Sequence, residues 1–237
     1  MNMTRVATAV TKKSEETRTR ILEAALALFG KRGFENTTMR DIAKESGVAL
    51  GAAYYYFDSK DALVMAFYSR AQRDLDPLLE DALSDTRGLE ERLRAVIDVK
   101  FKYFAPNRKL LGALSIHIDP QHPLSPFSEE SRAIRERDIG FLANAVQGSQ
   151  TRIPEDLKTP LPRLLWLYQM GLILFWVYDS SPDQTRTQQL FRKSLSIVVN
   201  LMKFSGLPLM RPIRKLATDL LEIVDEGEKP VSQRGER

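Results

Sequence analysis

Residues 37–63 read Thr37-Thr-Met-Arg-Asp-Ile-Ala-Lys-Glu-Ser-Gly-Val48-Ala-Leu-Gly-Ala-Ala-Tyr54-Tyr-Tyr-Phe57-Asp-Ser-Lys60-Asp-Ala-Leu63. Thr38 followed three residues later by Asp41 is a capping-box pattern with Asp in place of Glu, so a short helix starts there. Gly47 ends it, because a residue without a Cβ enters the left-handed turn that other residues resist. After a turn of about three residues, positions 48–57 form a second short helical piece. Ile42, Ala43, Val48, Ala53 and Phe57 supply the inner faces. Two short helices joined by a glycine-containing turn and packed on a preceding helix describe a helix-turn-helix. A compact helical hairpin with no role on DNA has the same periodicity, and periodicity does not separate the two.

Outward from this stretch the chain reads as helix almost throughout, with no convincing strand. Ile21, Leu22, Ala25, Leu28 and Phe29 form one apolar stripe, followed by Lys31 and Arg32 in the last turn and Gly33 as the stop. Asp58 or Ser59 caps the next helix, which carries Leu63, Phe67 and Ala71 on one face. Longer helices are expected near residues 59–85, 88–104, 107–118, 126–147, 161–179 and 184–205, with a weaker one at 212–226. Pro77 is expected to bend or break the first of these. Residues 151–162 are the longest expected loop, and the polar end at 225–237 reads as an unstructured tail.

Composition narrows the function. The chain of 237 residues has no cysteine and only two histidines, His117 and His122, which excludes thiol nucleophiles and zinc–cysteine sites and leaves little for a metal site or a histidine-based triad. There is no glycine-rich phosphate loop, no HExxH and no Ser-His-Asp pattern. Glu90 with Glu91 and Glu129 with Glu130 read as solvated helix faces. We therefore expect no catalytic residues, no cofactor and no metal. The N-terminus lacks the apolar core of a signal peptide. The longest near-apolar run, residues 164–178, is interrupted by Gln169 and Gly171 and falls short of the roughly 18–20 residues that span a bilayer. A cytoplasmic protein without a membrane segment is expected. Net charge is +4, and the basic residues Arg5, Lys12, Lys13, Arg18 and Arg20 outnumber Glu15 and Glu16 before the first apolar stripe. Residues 1–13 read as a flexible basic arm, either a solvated tail or a ligand for DNA phosphates.

The stretch Thr17-Arg-Thr-Arg-Ile-Leu-Glu-Ala-Ala-Leu-Ala-Leu-Phe-Gly-Lys-Arg-Gly-Phe34, with Thr37 to Val48 and Tyr54-Tyr-Tyr-Phe-Asp-Ser-Lys-Asp-Ala-Leu63, closely resembles the N-terminal domain of TetR-type (tetracycline-repressor-like) transcriptional regulators. The resemblance implies an all-α chain: a three-helix helix-turn-helix DNA-binding domain at 14–70 and a larger helical effector-binding and dimerisation domain at 71–209. An extra helix and tail at 210–237 would follow. It implies a homodimer that sets a recognition helix, about residues 49–55, into successive major grooves of a palindromic double-stranded operator. Carried over, Thr38 contacts phosphate, Arg40 reaches a guanine edge or a phosphate, Gly51 allows close approach, Tyr54 and Tyr55 meet phosphate or bases, and Lys60 contacts phosphate. One departure stands out: no Arg, Lys, Asn or Gln lies between Val48 and Phe57, so the strongest base-reading pairs are missing from this helix. Its start, Ala49-Leu50-Gly51-Ala52, leaves Leu50 and Ala52 to meet thymine methyls, with Arg40 and DNA shape as further readers.

In the resembled family the second domain binds a small effector and forms the dimer. Residues 164–178 are apolar around most of a helix, and Leu190, Phe191, Leu195, Ile197, Val198, Leu201 and Met202 stripe the next. Helices near 161–179 and 184–205 would pair with a partner's as a four-helix interface, although a large monomeric core would use the same residues. An apolar or amphipathic effector is expected against Phe101, Phe104, Leu114, His117, Phe141, Trp166, Met170 and Phe175. The function expected is that of a repressor released by its effector. The competing reading is a dimeric helical scaffold or ligand-binding protein without specific DNA binding, and an enzyme is disfavoured.

Overall fold

The computed structural model describes residues 3–212, 214–216 and 218–219. Ten α-helices and no strand occur among them: α1 (Met3–Arg32), α2 (Met39–Glu45), α3 (Leu50–Tyr56), α4 (Lys60–Ser84), α5 (Leu89–Phe104), α6 (Arg108–Leu114), α7 (Arg132–Gln147), α8 (Glu155–Lys158), α9 (Pro160–Tyr178) and α10 (Thr185–Phe204). Backbone contacts group the chain into two compact units. The first runs to Arg70 and takes in Asn107–Ile116; the second holds Ala71–Pro106 and the described chain from His117 on.

In the first unit, α1 presents Ile21, Leu22, Ala25, Leu28 and Phe29 to a core shared with Ile42, Ala43, Ala53, Phe57, Leu63 and Phe67, all buried. α6 packs on α1, so residues 107–116 group here and not with the segment 71–209 in which the sequence reading placed them. Helix α1 begins at Met3, so the segment 1–13 expected as a flexible arm is helical from there on. Pro77 lies inside α4 without ending it.

The second unit buries Leu75 and Leu79 of α4, Leu93, Val96 and Ile97 of α5, Leu142 of α7, Leu165, Trp166 and Leu172 of α9, and Leu195 and Val199 of α10 in one cluster. The Arg92 guanidinium closes one end of this bundle. It donates to the carbonyls of Leu83 in the last turn of α4 and Thr86 just beyond it (2.9 and 2.7 Å) and to those of Ala145 and Asn144 in the last turn of α7 (2.9 and 3.2 Å), where helix ends leave acceptor capacity. Helices α6 and α7 are shorter than the expected 107–118 and 126–147. Between them the buried hydroxyls of Ser125 and Ser128 donate to the carbonyls of Ile118 and Pro123 (3.1 and 3.0 Å), a local bonding scheme that competes with helix. The expected loop at 151–162 contains α8 and the start of α9. At 19 residues α9 is longer than the near-apolar run within it, and by length and composition it could cross a membrane; Leu165, Trp166, Gln169 and Leu172 are buried in the protein instead. Arg214 ties the described part of the C-terminal segment down, donating to Asp156 (2.7 Å) and to the Ser205 carbonyl (2.5 Å). Most of the helix expected at 212–226, and all of the tail beyond it, lie outside the described residues.

The corner between α9 and α10 is built on Asp179. One carboxylate oxygen accepts from the backbone N–H and hydroxyl of Ser181 (2.9 and 2.7 Å), the other from the same groups of Thr187 (2.8 and 2.7 Å). Inside it Asp183 and Gln184 both sit at φ 51°, the left-handed region that costs most residues stability. Burial alone would raise the Asp179 carboxyl, but the hydrogen bonds from Thr187 and Ser181 hold it well below the usual carboxylate range. A depressed carboxyl stabilises the fold fully above its unfolded value of 3.8 and progressively less as pH falls below it. Asp179→Asn should therefore melt lower than wild type at neutral pH, and its melting temperature should fall less steeply between about pH 5 and pH 3 in thermal melts.

Candidate functional site

Helix α2 is only seven residues long and is held by its cap. The Thr38 hydroxyl accepts from the Asp41 N–H (3.2 Å) while the Asp41 carboxylate accepts from the Thr38 N–H (3.0 Å) and hydroxyl (2.6 Å). These bonds, with Arg32 and Lys44 nearby, keep the Asp41 carboxyl below its ordinary value. Gly47 takes φ 65°, and the Val48 N–H donates back to the Ala43 carbonyl (3.0 Å), which sets the entry of α3. Ala53 and Phe57 are buried, and Arg18 of α1 lies over the Phe57 ring at 4.8 Å. The Ser14 hydroxyl meets the Tyr56 hydroxyl at 3.2 Å, tying the far end of α3 to α1. Tyr56 and Phe57 are thus packing residues.

The outer side of α3 is open. Ala49 and Gly51 are exposed, Leu50 and Ala52 half-buried, Tyr54 is 49% exposed and Tyr55 82% exposed. Gly51, Tyr54 and Tyr55 follow one another at helical spacing on a single face. Arg40 projects into solvent from α2. Two residues expected to contact phosphate are engaged within the chain: the Thr38 hydroxyl is part of the capping box, and the Lys60 ammonium donates to the Phe34 carbonyl (2.7 Å) above the Phe34 ring. Each keeps hydrogen-bonding capacity beyond these bonds. Lys12 and Lys13 are exposed on α1.

The eight residues expected to line an effector pocket are placed as follows. Phe101 stacks on Trp176 (5.0 Å between centroids, 21° between planes) and Phe104 lies edge-on to Tyr103. Leu114 belongs to α6 in the first unit. His117 stacks on His122 at 3.8 Å, and its buried Nε2 has no hydrogen-bond partner among the described residues. Trp166 is buried against Phe127, Phe141 and Met170 pack on the core, and Phe175 is on the surface beneath Arg186. Of the eight, only Phe101 lines the open cleft of about 610 Å³ between α5, the end of α9 and the start of α10. No group of three or more metal-binding side chains occurs among the described residues.

The comparisons with known proteins agree with this geometry. A family described as "Bacterial regulatory proteins, tetR family" matches residues 21–67, and one described as "Tetracyclin repressor-like, C-terminal domain" matches residues 92–220, more than half of the chain. The chain belongs to the tetR family. It is 39% identical to the HTH-type transcriptional regulator TtgR of Pseudomonas putida over 178 residues, 70% of this chain and 82% of that one. It is 34% identical to the HTH-type transcriptional regulator BetI of Agrobacterium fabrum over 116 residues, 48% of this chain; the match spans about half of that relative's length, 53%. Among solved structures it resembles the transcriptional regulator FadR of Bacillus subtilis, crystallised with stearoyl-CoA, at 17% identity and a TM-score of 0.58 over 80% of this chain and 98% of that one. At that identity the likeness is one of fold. The family is one of transcription regulators and not of enzymes.

Membership leaves one feature of the second unit to be explained from the residues themselves. The Lys100 ammonium, 2% exposed, donates to Asp138 (2.8 Å) and to the Gln169 amide oxygen (3.0 Å), and the Gln169 amide N–H donates to Asp138 (3.0 Å). Gln72 adds a longer bond to Asp138 (3.4 Å), and its own amide oxygen is buried without a partner among the described residues. The cluster joins α4, α5, α7 and α9. Its signal in the sequence was Lys100 standing where the α5 stripe of Leu89, Leu93 and Val96 calls for an apolar residue. Removing one member of a buried pair strands the other charge. Lys100→Met should cost roughly 3 kcal/mol in urea unfolding, and adding Asp138→Leu should restore most of it. A Lys100→Met protein that unfolds at the wild-type urea concentration would contradict this.

Proposed function

We propose that the chain is a ligand-responsive transcriptional repressor that works in the cytoplasm, binding a palindromic operator as a homodimer and leaving it when a small effector binds the second unit. The observation that carries this is the outer face of α3, exposed while its inner face is pinned by buried Ala53 and Phe57. A reading helix must be short and held rigidly for its outer side chains to enter the major groove.

Arg40 takes the role of base or phosphate contact, Leu50 and Ala52 meet thymine methyls, and Tyr54 and Tyr55 contact the backbone or lean on bases. Thr38, Lys60 and the exposed Lys12 and Lys13 hold phosphates. Because α3 offers no guanidinium or amide, sequence-dependent shape carries a large share of the selectivity. The dimer reading rests on surface left uncovered in one chain. Leu174, Phe175 and Tyr178 of α9 and Leu190, Ile197, Leu201 and Phe204 of α10 are exposed at helical spacing on each helix, apolar surface that water does not favour. Pairing two such helices with the partner's pair covers it and sets the two reading helices one DNA turn, about 34 Å, apart. That FadR was crystallised with an acyl-CoA supports a small-molecule effector for a chain of this fold. An effector acts here only through its differential affinity for the DNA-competent and incompetent dimers.

Selection of bound duplexes from a random pool tests this reading. It should enrich a palindrome whose half-site centres lie one helical turn apart, and Arg40→Ala should relax the preference at one symmetric pair of positions while leaving the others in place. A pool that returns without an enriched palindrome would overturn the repressor reading. Uniform weakening by Arg40→Ala would remove only the base-reading role of Arg40.

A further inference from the structure

The open cleft of about 610 Å³ in the second unit lies within the volume range of small-molecule sites, and it shares only Phe101 with the residues expected at an effector pocket. Its apolar side is aromatic. Phe101 lies parallel to Trp176 at 5.0 Å and edge-on to Phe191 at 6.2 Å, a surface that favours another flat ring over a branched aliphatic chain. The charged side chains at its rim are Arg94 and Arg192 against Asp98 and Asp183, so the lining carries no net charge. Arg94 is in addition paired with Glu90 (2.9 Å) and lies over the Phe191 ring. An anion finds Arg94 already held by Glu90, and a cation finds Arg94 and Arg192 beside the two carboxylates. What the rim offers instead is amides. Gln184, Gln188 and Gln189 line it, each with two donors and an acceptor, and only Gln188 uses its side chain within the described protein, donating to the Asp183 carbonyl (2.9 Å).

We infer that this cleft binds an uncharged planar aromatic molecule of about two or three fused or linked rings, stacked on Phe101 and held at its edge by hydroxyl or carbonyl groups on the glutamine amides. The inference rests on the regulator reading in that such a molecule would be its effector. Gln184 belongs to both the cleft rim and the left-handed corner, so a ligand bonded to it holds the α9–α10 corner in one arrangement. On α10, Gln188 and Arg192 lie on the side roughly opposite Leu190, Ile197 and Leu201, so a partner chain seated on that apolar stripe leaves the cleft open.

Isothermal titration calorimetry on the full chain at neutral pH tests it with three probes of one shape: 2,7-dihydroxynaphthalene, 2-naphthoate and 2-naphthylmethylamine. The uncharged diol should bind saturably and about tenfold more tightly than either ion. Phe101→Leu should weaken the diol about tenfold, and Gln184→Ala with Gln189→Ala, both at the rim, should weaken it several-fold, while Phe127→Leu, outside the cleft, should leave it unchanged; melts confirm that each variant folds. Tighter binding of either ion, no saturable binding of the diol, or binding untouched by both cleft variants would overturn the inference. The same preparations are tested on the selected duplex. A protein that binds DNA but not the diol loses the cleft assignment and keeps the regulator reading; one that binds no duplex loses the regulator reading whatever the diol does.

Discussion

A helix of seven residues cannot hold itself together in water, because forming its first turn costs more than so few hydrogen bonds return. Both α2 and α3 are that short. Their shape and direction therefore come entirely from what surrounds them: the reciprocal cap of Thr38 and Asp41, the left-handed Gly47, the return bond from Val48 to Ala43, and the seating of Ala53 and Phe57 in the core. That dependence has a functional use. A helix fixed from one side presents its other side without having to be ordered on contact, and here that other side is Gly51, Tyr54 and Tyr55.

The second unit solves a different problem with different means. Apart from the four-residue α8, its helices are long enough to be stable as amphipathic elements packed together, and what they need is registration. Arg92 supplies it at one end by gathering the carbonyls that finish α4 and α7, and Asp179 supplies it at another by closing the α9–α10 corner. Between them the Lys100, Asp138 and Gln169 cluster is matched only by one arrangement of α5, α7 and α9. Buried ion pairs seldom add net stability over apolar replacements.

Legibility follows the range of the interactions. The helix-turn-helix was readable because its determinants are local: a Thr three residues before an Asp, a glycine at a left-handed turn, an apolar residue every third or fourth place. The family resemblance rested on the same stretch, and the match at residues 21–67 lies on it. Boundaries failed where side chains compete with the backbone, as the serines before α7 do, while α4 runs through Pro77 with the ends expected of it. The effector residues are harder to read, for a deeper reason. An aromatic on a long helix announces that it will be covered but not by what, and Phe141, Trp166 and Met170 are covered by the core. Lys100 and Asp138 sit on different helices, and nothing in either local pattern names the other.

The central claim is that the braced face of α2 and α3 anchors this chain to DNA phosphates and reads a defined site. The most direct measurement is the fluorescence anisotropy of the selected duplex and of a scrambled one, titrated with the full chain from about 50 to 200 mM salt. Preference for the selected duplex is expected, with a loss of affinity on the order of 10³-fold across that range, as phosphate contacts release their counterions. Equal affinity for both duplexes, or binding indifferent to salt, would contradict it.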